Sequence, residues 1–127
     1  MRILQGIDIV SVRRMQEAIE RQGERLLKRV FTVDEREYCE GRRTKFEHYA
    51  ARFAAKEAFI KAVPLKKSLK TSYHQIPIAK QPSGKPYIAV TPQLKSLFDL
   101  PEKCQIEISM AHERDYAIAT VLVLIPS

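Results

Sequence analysis

The 127-residue sequence is poor in the residues that mark several specialised classes of protein. It has no tryptophan, four glycines and two cysteines, and Cys39 and Cys104 stand far apart without a CxxC or Cys/His pattern. A disulfide framework or a zinc site is therefore not expected, and a reducing cytoplasm is the default compartment. No apolar run approaches the roughly 20 residues of a membrane helix. The opening MRILQGIDIV is typical of a strand and not of a secretion signal.

The usual signatures of nucleotide-binding loops and of several hydrolases are also missing. The sequence contains neither GxxxxGK[ST] nor GxGxxG, and neither HExxH nor GxSxG. What it does contain is basic charge, with 22 Lys and Arg against 15 Asp and Glu, a net charge of +7 and a pI near 9.6. This excess of positive charge predicts an anionic partner. Charge alone does not distinguish a nucleic acid, an acidic protein and a phosphorylated small molecule.

The first half of the chain carries the signals of one strand and several helices. A strand is predicted over 2–10, and Ser11 is a suitable N-cap for a helix of about four turns that Gly23 bends or ends locally. Thr32 and Glu35 form a capping box for a short helix that closes at Gly41. A second box, Thr44 with Glu47, opens a longer helix that Pro64 ends.

The second half is predicted to be mostly antiparallel β-structure. A basic loop is expected over 64–72, and strands over 74–80, 87–90, 104–110 and 116–125. Turn residues occupy 82–86, and Thr91-Pro92 opens a short helix. We therefore expect an α+β fold in one domain, residues 1–127, in which an antiparallel sheet packs against a long central helix and most helices lie in the N-terminal half.

Asp8 is the first candidate for a functional residue, because it interrupts the apolar strand segment GIDIV at 6–10. An ionised carboxylate in such surroundings is costly unless it is paired or binds a metal. A cap for the following helix or an ion pair with an arginine explains Asp8 about equally well.

Glu57 is the stronger candidate, within RFAAKEAFIKA at 52–62. Lys61 follows at i+4, which suits an ion pair, and neighbouring alanines leave room for a ligand. Arg52 and Lys56 lie on the adjoining strip of the same helix, so several cations could meet one anion. Mg²⁺ typically takes one or two carboxylates together with phosphate oxygens and waters. Asp8, Glu57, Lys61 and Arg52 therefore suit a diphosphate and its metal, although an ordinary surface salt bridge remains the simple alternative.

His112 lies at a strand end beside a turn, where a histidine can carry a proton or bind phosphate, or simply be exposed. His48 and His74 belong to no recognisable group. Lys66, Lys67 and Lys70 are most simply a solvated loop, with phosphate or an acidic partner as the second interpretation.

Taken together, these segments resemble the holo-[acyl-carrier-protein] synthases, the small class of 4′-phosphopantetheinyl transferases. The resemblance spans nearly the whole chain and is carried by segments 6–10 (GIDIV), 29–32 (RVFT), 52–62 (RFAAKEAFIKA), 83–86 (SGKP), 109–112 (SMAH) and 115–117 (DYA). The first and third of these, at this separation, form a specific signature.

The resemblance implies transfer of phosphopantetheine from coenzyme A to a serine of apo acyl carrier protein, in fatty acid biosynthesis. It implies that Asp8 and Glu57 hold Mg²⁺ against the coenzyme A diphosphate and that Lys61 assists the leaving group. Glu57 or a metal-bound water would deprotonate the serine. Contacts to coenzyme A would come from Arg52, Lys61, Lys85, Ser109 and His112.

The resemblance also implies partners. The acidic carrier protein would be received by basic residues of the first helical region, namely Arg13, Arg14, Arg21 and Arg25. The family is trimeric with coenzyme A between subunits, and we expect neither a nucleic-acid nor a membrane partner. A basic nucleic-acid-binding module and a non-catalytic carrier-binding protein are the alternatives.

The chain departs from the family pattern at two places. Residues 63–70 lack the usual Gly-Thr-Gly-rich loop, and 109–112 has one hydroxyl fewer than the usual Ser-x-Ser/Thr-His. We expect altered coenzyme A contacts with retained activity, because the metal and lysine positions are present.

Overall fold

The computed structural model describes residues 1–66 and 73–127. The first half contains strand β1 followed by four helices, and their bounds are β1 Arg2–Ser11, α1 Val12–Gln22, α2 Glu24–Val30, α3 Val33–Glu40 and α4 Lys45–Ala62. The second half contains a 3₁₀ turn, four strands and a short helix, namely Tyr73–Gln75, β2 Ile78–Lys80, β3 Pro86–Ile88, α5 Pro92–Leu97, β4 Gln105–His112 and β5 Tyr116–Ile125. Most of the predicted basic loop, including Lys67 and Lys70, lies outside the described residues.

Helix ends follow the capping signals of the sequence, with one exception. Ser11 accepts a bond from the backbone of α1, and Thr32 and Glu35 form the reciprocal box that opens α3. Gly23, at φ 59°, separates α1 from α2, so the predicted first helix is two helices. The box predicted at Thr44 is wrong, because the Thr44 side chain caps nothing and the Glu47 carboxylate bonds to His112 instead.

The strand predicted over 74–80 is shorter than expected, since only Ile78–Lys80 pairs with β3. The carbonyl oxygen of Ile76 accepts a bond from the Lys56 ammonium at 2.8 Å. Pro77 has no N–H to donate to a ladder. Regular pairing therefore begins only at Ile78, and the residues before Ile76 form the 3₁₀ turn.

The main sheet has three antiparallel strands in the order β1-β5-β4, and β2 pairs with β3 in a separate antiparallel ribbon. Helix α4 packs across the inner face of the main sheet, where it presents a row of buried alanines. Gly6 of β1 lies so close that a Cβ atom there would be 1.9 Å from the carbonyl oxygen of Ala58. The predicted α+β architecture, with an antiparallel sheet against a long helix, is confirmed.

The outer face of the main sheet carries large apolar side chains that none of the described residues covers. Its large exposed side chains belong to β1 and β5 and are Ile3, Ile7, Ile9, Tyr116, Ile118 and Leu122. Alternate residues of β5 point inward and are buried, from Ala117 to Val123. None of the helices in residues 1–66 and 73–127 is both long enough and apolar enough to cross a bilayer.

Candidate active site

Asp8 and Lys61 join β1 to the last turn of α4. Asp8 lies on the inner face of β1 with its side chain 17% exposed, and the Lys61 ammonium lies 2.9 Å from its Oδ1. Lys61 also donates to the carbonyl oxygen of Ile7 at 3.0 Å. The expected i,i+4 ion pair of Glu57 with Lys61 is therefore replaced by a contact between Lys61 of the helix and Asp8 of the strand. This ion pair stabilises the Asp8 carboxylate in its partly buried position.

Glu57 lies one turn before Lys61 and accepts a hydrogen bond from the Tyr73 hydroxyl at 2.8 Å. The Tyr73 ring packs on Phe53, with ring centroids 5.3 Å apart. Burial, and then the bond to Glu57, raises the pKa of Tyr73 to about 12. The phenol therefore keeps its proton at neutral pH and acts as a donor to the carboxylate.

Asp8 and Glu57 open onto one pocket of about 490 Å³. Its wall is largely apolar, from α1, α2 and Phe53, and Arg14 is the basic residue that lines it. Within residues 1–66 and 73–127, no three His, Cys, Asp or Glu side chains are grouped so that they could hold a metal ion. Two carboxylates suit Mg²⁺ that completes its shell with water and phosphate oxygens, and do not suit a closed zinc site.

Lys56 does not face a ligand, contrary to the prediction from the helical wheel. Its side chain and that of Glu35 are fully buried, with nitrogen and oxygen 2.9 Å apart. The Lys56 ammonium also donates to the carbonyl oxygens of Tyr73 and Ile76, at 2.9 and 2.8 Å. Burial lowers the pKa of Lys56, and the charge of Glu35 opposes this effect. Lys56 is thus an internal link between α3, α4 and the segment before β2.

Arg52 belongs to a second group of cations, which surrounds Tyr38. The Arg52 guanidinium is 4.1 Å from the centre of the Tyr38 ring, that of Arg42 is 4.2 Å away, and the Lys80 ammonium is 4.5 Å away. Burial would raise the pKa of the Tyr38 hydroxyl, but the bond from Lys80 and the surrounding positive charges lower it overall. Three cations around one ring form a site that attracts an anion.

The hydrogen bonding of the Arg52 side chain also indicates a site that attracts an anion. Arg52 is only 2% exposed, and its buried Nε atom has no hydrogen-bond partner among the described residues. Its one hydrogen bond within them joins Nη1 to the carbonyl oxygen of His48, at a long 3.4 Å. A buried guanidinium with a spare donor is suited to a ligand with oxygen acceptors.

His112 extends this second group. Its Nδ1 lies 2.9 Å from Glu47 Oε1, and its ring lies 4.6 Å from that of His48, which in turn contacts Tyr38. Burial, and then the nearby positive charges, lower the pKa of His48 to about 4. The sequence analysis missed His48, although its i,i+4 spacing from Arg52 was a usable signal.

Arg52 and Glu57 belong to different faces of α4. Five positions at about 100° each place them about 140° apart around the helix axis. The structure therefore does not bring Arg52 into the group formed by Asp8, Glu57 and Lys61. The helical wheel placed Arg52 beside Glu57 and Lys61, but Lys61 meets Asp8 of β1 whereas Arg52 lies over the Tyr38 ring of α3. Such a division within one chain is compatible with the site between subunits that the resemblance implies.

Lys85 and Ser109 stand apart from both groups in the single chain. Lys85 is exposed in the turn before β3, 3.3 Å from Glu107 on β4. Ser109 pairs with Thr120 and is exposed on the outer face of the sheet. His112 lies three residues further along β4, and the alternation of side chains along a strand places it on the opposite face.

The arginines expected to bind a partner are exposed on α1 and α2, and they are Arg13, Arg14, Arg21 and Arg25. Arg13 forms an ion pair with Glu17 at 2.8 Å. Arg14 and Arg21 are seven residues apart and share one side of α1. Because Arg14 also lines the pocket of Asp8 and Glu57, this basic strip runs up to the pocket.

Comparisons of the sequence with known proteins identify the family. The sequence model of the 4′-phosphopantetheinyl transferase superfamily matches residues 5–121. A holo-[acyl-carrier-protein] synthase of Ruminiclostridium cellulolyticum is 40% identical over 124 residues, covering 97% of this chain and 92% of the relative.

Solved structures of holo-[acyl-carrier-protein] synthases are also similar to this chain. The holo-[acyl-carrier-protein] synthase of Helicobacter pylori in complex with coenzyme A has a TM-score of 0.77 and 31% identity, covering 94% of this chain and 99% of that one. An ACPS–CoA complex from Chronobacterium ammoniagenes has a TM-score of 0.83 over the full length of both chains. Because the identity is only 24%, this likeness shows the fold alone. The chain belongs to the 4′-phosphopantetheinyl transferase superfamily.

Proposed function

We propose that this chain transfers 4′-phosphopantetheine from coenzyme A to a serine of apo acyl carrier protein, giving holo-carrier protein and 3′,5′-ADP. The serine oxygen attacks the phosphorus next to pantetheine, the bond to the ADP oxygen breaks, and the serine loses its proton. The observation that carries the proposal is that Asp8 and Glu57 line one pocket, while the Lys61 ammonium contacts Asp8 Oδ1 at 2.9 Å. Family membership supports the proposal further, because similar proteins are holo-[acyl-carrier-protein] synthases.

Asp8 and Glu57 would hold the Mg²⁺ ion, with Lys61 beside it. The ion would neutralise charge on the diphosphate and on the departing 3′,5′-ADP. Lys61 already contacts Asp8 Oδ1 and is 53% exposed, so its ammonium can turn to a phosphate oxygen at little cost. Positioning and charge neutralisation are the main needs of a phosphoryl-type transfer.

The group around Tyr38 would bind the other phosphate of coenzyme A, on its ribose. Coenzyme A carries negative charge at two separated places, the diphosphate and the 3′-phosphate, and this chain has two separated sites with cations. Arg52 offers its unpartnered Nε, Arg42 and Lys80 lie over the same Tyr38 ring, and His112 adjoins this group through His48. Because the two sites belong to different faces of α4, one coenzyme A molecule would bridge two chains.

The assembly would be a homotrimer. The outer face of the main sheet, with six large apolar side chains between 38% and 61% exposed, is the surface that the subunits would cover. Lys85 and Ser109 lie on or beside that side of the molecule, so they would meet coenzyme A through a neighbouring subunit.

Arg14 and Arg21, with Arg13 and Arg25, would attract the acidic carrier protein. Opposite charge speeds the encounter of proteins and fixes their orientation. Arg14 lines the pocket of Asp8 and Glu57, so a carrier protein bound along these arginines would have its serine near the two carboxylates. Residues 1–127 would act as one catalytic domain in the cytoplasm, serving fatty acid biosynthesis.

The deciding experiment mixes the protein with apo carrier protein, coenzyme A and Mg²⁺ and measures the mass of the carrier. We expect a gain of one phosphopantetheine per carrier, which disappears when EDTA removes the metal. No gain with a well-folded protein and a competent carrier would refute the proposal. Nucleic-acid binding and non-catalytic carrier binding both predict that unmodified carrier is recovered.

A further inference from the structure

The hydroxyl of Tyr73 is the only polar group in the described residues that bonds to the Glu57 carboxylate. The bond joins two residues 16 positions apart and is 2.8 Å long. It engages Oε1, while Oε2 has no partner within residues 1–66 and 73–127. Glu57, which lines the same pocket as Asp8, is therefore fixed through one carboxylate oxygen, and its other oxygen is available to a ligand.

Tyr73 is itself held at both ends, so its hydroxyl has little freedom. Its carbonyl oxygen accepts from the buried ammonium of Lys56 at 2.9 Å, and its ring packs on Phe53. Lys56 is fixed in turn by Glu35 and by the carbonyl oxygen of Ile76. Two adjacent residues of α4 thus hold Tyr73. Lys56 bonds to the backbone carbonyl of Tyr73, and Glu57 bonds to its hydroxyl.

From this geometry we propose that Tyr73 is a positioning residue, which orients the Glu57 carboxylate so that Oε2 faces the divalent cation. The inference rests on the metal site proposed above. Partners that bond to a ligating carboxylate fix its orientation, and their loss typically weakens metal binding about 10- to 100-fold. Asp8 accepts from Lys61, but the exposed Lys61 ammonium can turn to a phosphate oxygen, whereas Tyr73 is held at both ends.

The test is the substitution Tyr73→Phe, which removes the hydroxyl and keeps the ring that packs on Phe53. Mn²⁺ serves as the probe, and its binding to the full chain in the presence of coenzyme A is followed by electron paramagnetic resonance. Tyr87→Phe is the matched control, because Tyr87 is an exposed tyrosine of β3. We expect the Mn²⁺ dissociation constant to rise about tenfold in Tyr73→Phe and to stay unchanged in Tyr87→Phe.

Two further readouts separate positioning from a general structural role. The unfolding temperature of Tyr73→Phe should match that of the unaltered protein. The transfer rate should fall at low Mg²⁺ and recover at high Mg²⁺. An unchanged Mn²⁺ affinity overturns the inference, as does a Tyr73→Phe protein that fails to fold.

The substitution Glu57→Gln distinguishes failure of this inference from failure of the proposed metal site. If Glu57→Gln weakens Mn²⁺ binding and Tyr73→Phe does not, only the role of Tyr73 is wrong. If Glu57→Gln binds Mn²⁺ as tightly as the unaltered protein, the metal assignment is wrong and the role of Tyr73 falls with it.

Discussion

Lys56 and Glu35 form an ion pair in the interior of the protein, where both side chains are fully buried and the charged atoms lie 2.9 Å apart. The ammonium has three acceptors, one on α3 and two in the segment before β2. The carboxylate accepts in addition from the backbone N–H groups of Thr32 and Ile78. Because the partners lie at the start of α3, in the segment before β2 and at the first residue of β2, this pair connects the helical half to the β-ribbon.

The first prediction concerns the stability that depends on this pair. Lys56→Met leaves the Glu35 carboxylate buried without its cation and should lower the free energy of unfolding by about 3–5 kcal/mol. Urea denaturation measures the loss. Lys85→Met, which breaks the exposed pair with Glu107, is the control and should cost less than about 1 kcal/mol. Equal losses in the two variants would contradict the prediction.

The second prediction concerns the close approach of β1 to α4. Gly6→Ala places a Cβ atom against the backbone of Ala58, which cannot rotate away, so strand and helix must separate. We expect a loss of about 3 kcal/mol or more in the free energy of unfolding. In the control Gly41→Ala the new Cβ meets its nearest atom at 3.5 Å, an ordinary contact. Stability close to that of the unaltered protein in Gly6→Ala would show that the packing is looser than described.

The third prediction concerns the two carboxylates of the proposed metal site. Asp8→Ala and Glu57→Ala should each reduce the rate of carrier modification by at least about 100-fold, because each removes a charge that positions the reacting groups. Both side chains are partly exposed, so the fold should persist in circular dichroism. Glu102→Ala, at an exposed position between α5 and β4, provides the control. Full activity in either active-site variant would remove that residue from the mechanism.

The fourth prediction separates the two phosphate sites. Arg52→Met should raise KM for coenzyme A about tenfold or more, because it deletes a charged donor facing the proposed 3′-phosphate. With 3′-dephospho-coenzyme A as donor, the variant and the unaltered protein should have similar KM values. Arg2→Met, at an exposed arginine of β1, is the control. A KM defect of the same size with both donors would place Arg52 elsewhere on the ligand.

The fifth prediction concerns the exposed apolar face of the sheet. Sedimentation should show a trimer for the unaltered protein, whereas Ile118→Glu should give monomers, because it puts a charge into the surface that the subunits cover. Coenzyme A binding should weaken in parallel, since the proposed site needs two chains. Val33→Glu changes another exposed apolar residue, on α3, and should leave the trimer intact. A monomeric unaltered protein that is fully active would refute the shared site.

The features that depend on residues close together in the chain were predictable from the sequence. The caps at Ser11, Thr32 and Thr91 are bonds between residues three positions apart, so their spacing marks the start of α1, α3 and α5. The end of α4 follows from Pro64, and the final strand follows from its long apolar run. These signals, with the two family segments around Asp8 and Glu57, were enough for the fold class and the superfamily.

The partners of the charged residues of α4 depend on the packing of distant segments and were not predictable from the sequence. Arg52, Lys56, Glu57 and Lys61 occupy one helix, but they face Tyr38, Glu35, Tyr73 and Asp8 respectively. A helical wheel gives the angular position of each residue but not which face of the helix is buried by distant segments. A long cationic side chain is buried only where those segments supply hydrogen-bond acceptors. Lys56 finds three such acceptors and becomes internal, whereas Lys61 finds Asp8 at the edge of a pocket and stays accessible to a ligand.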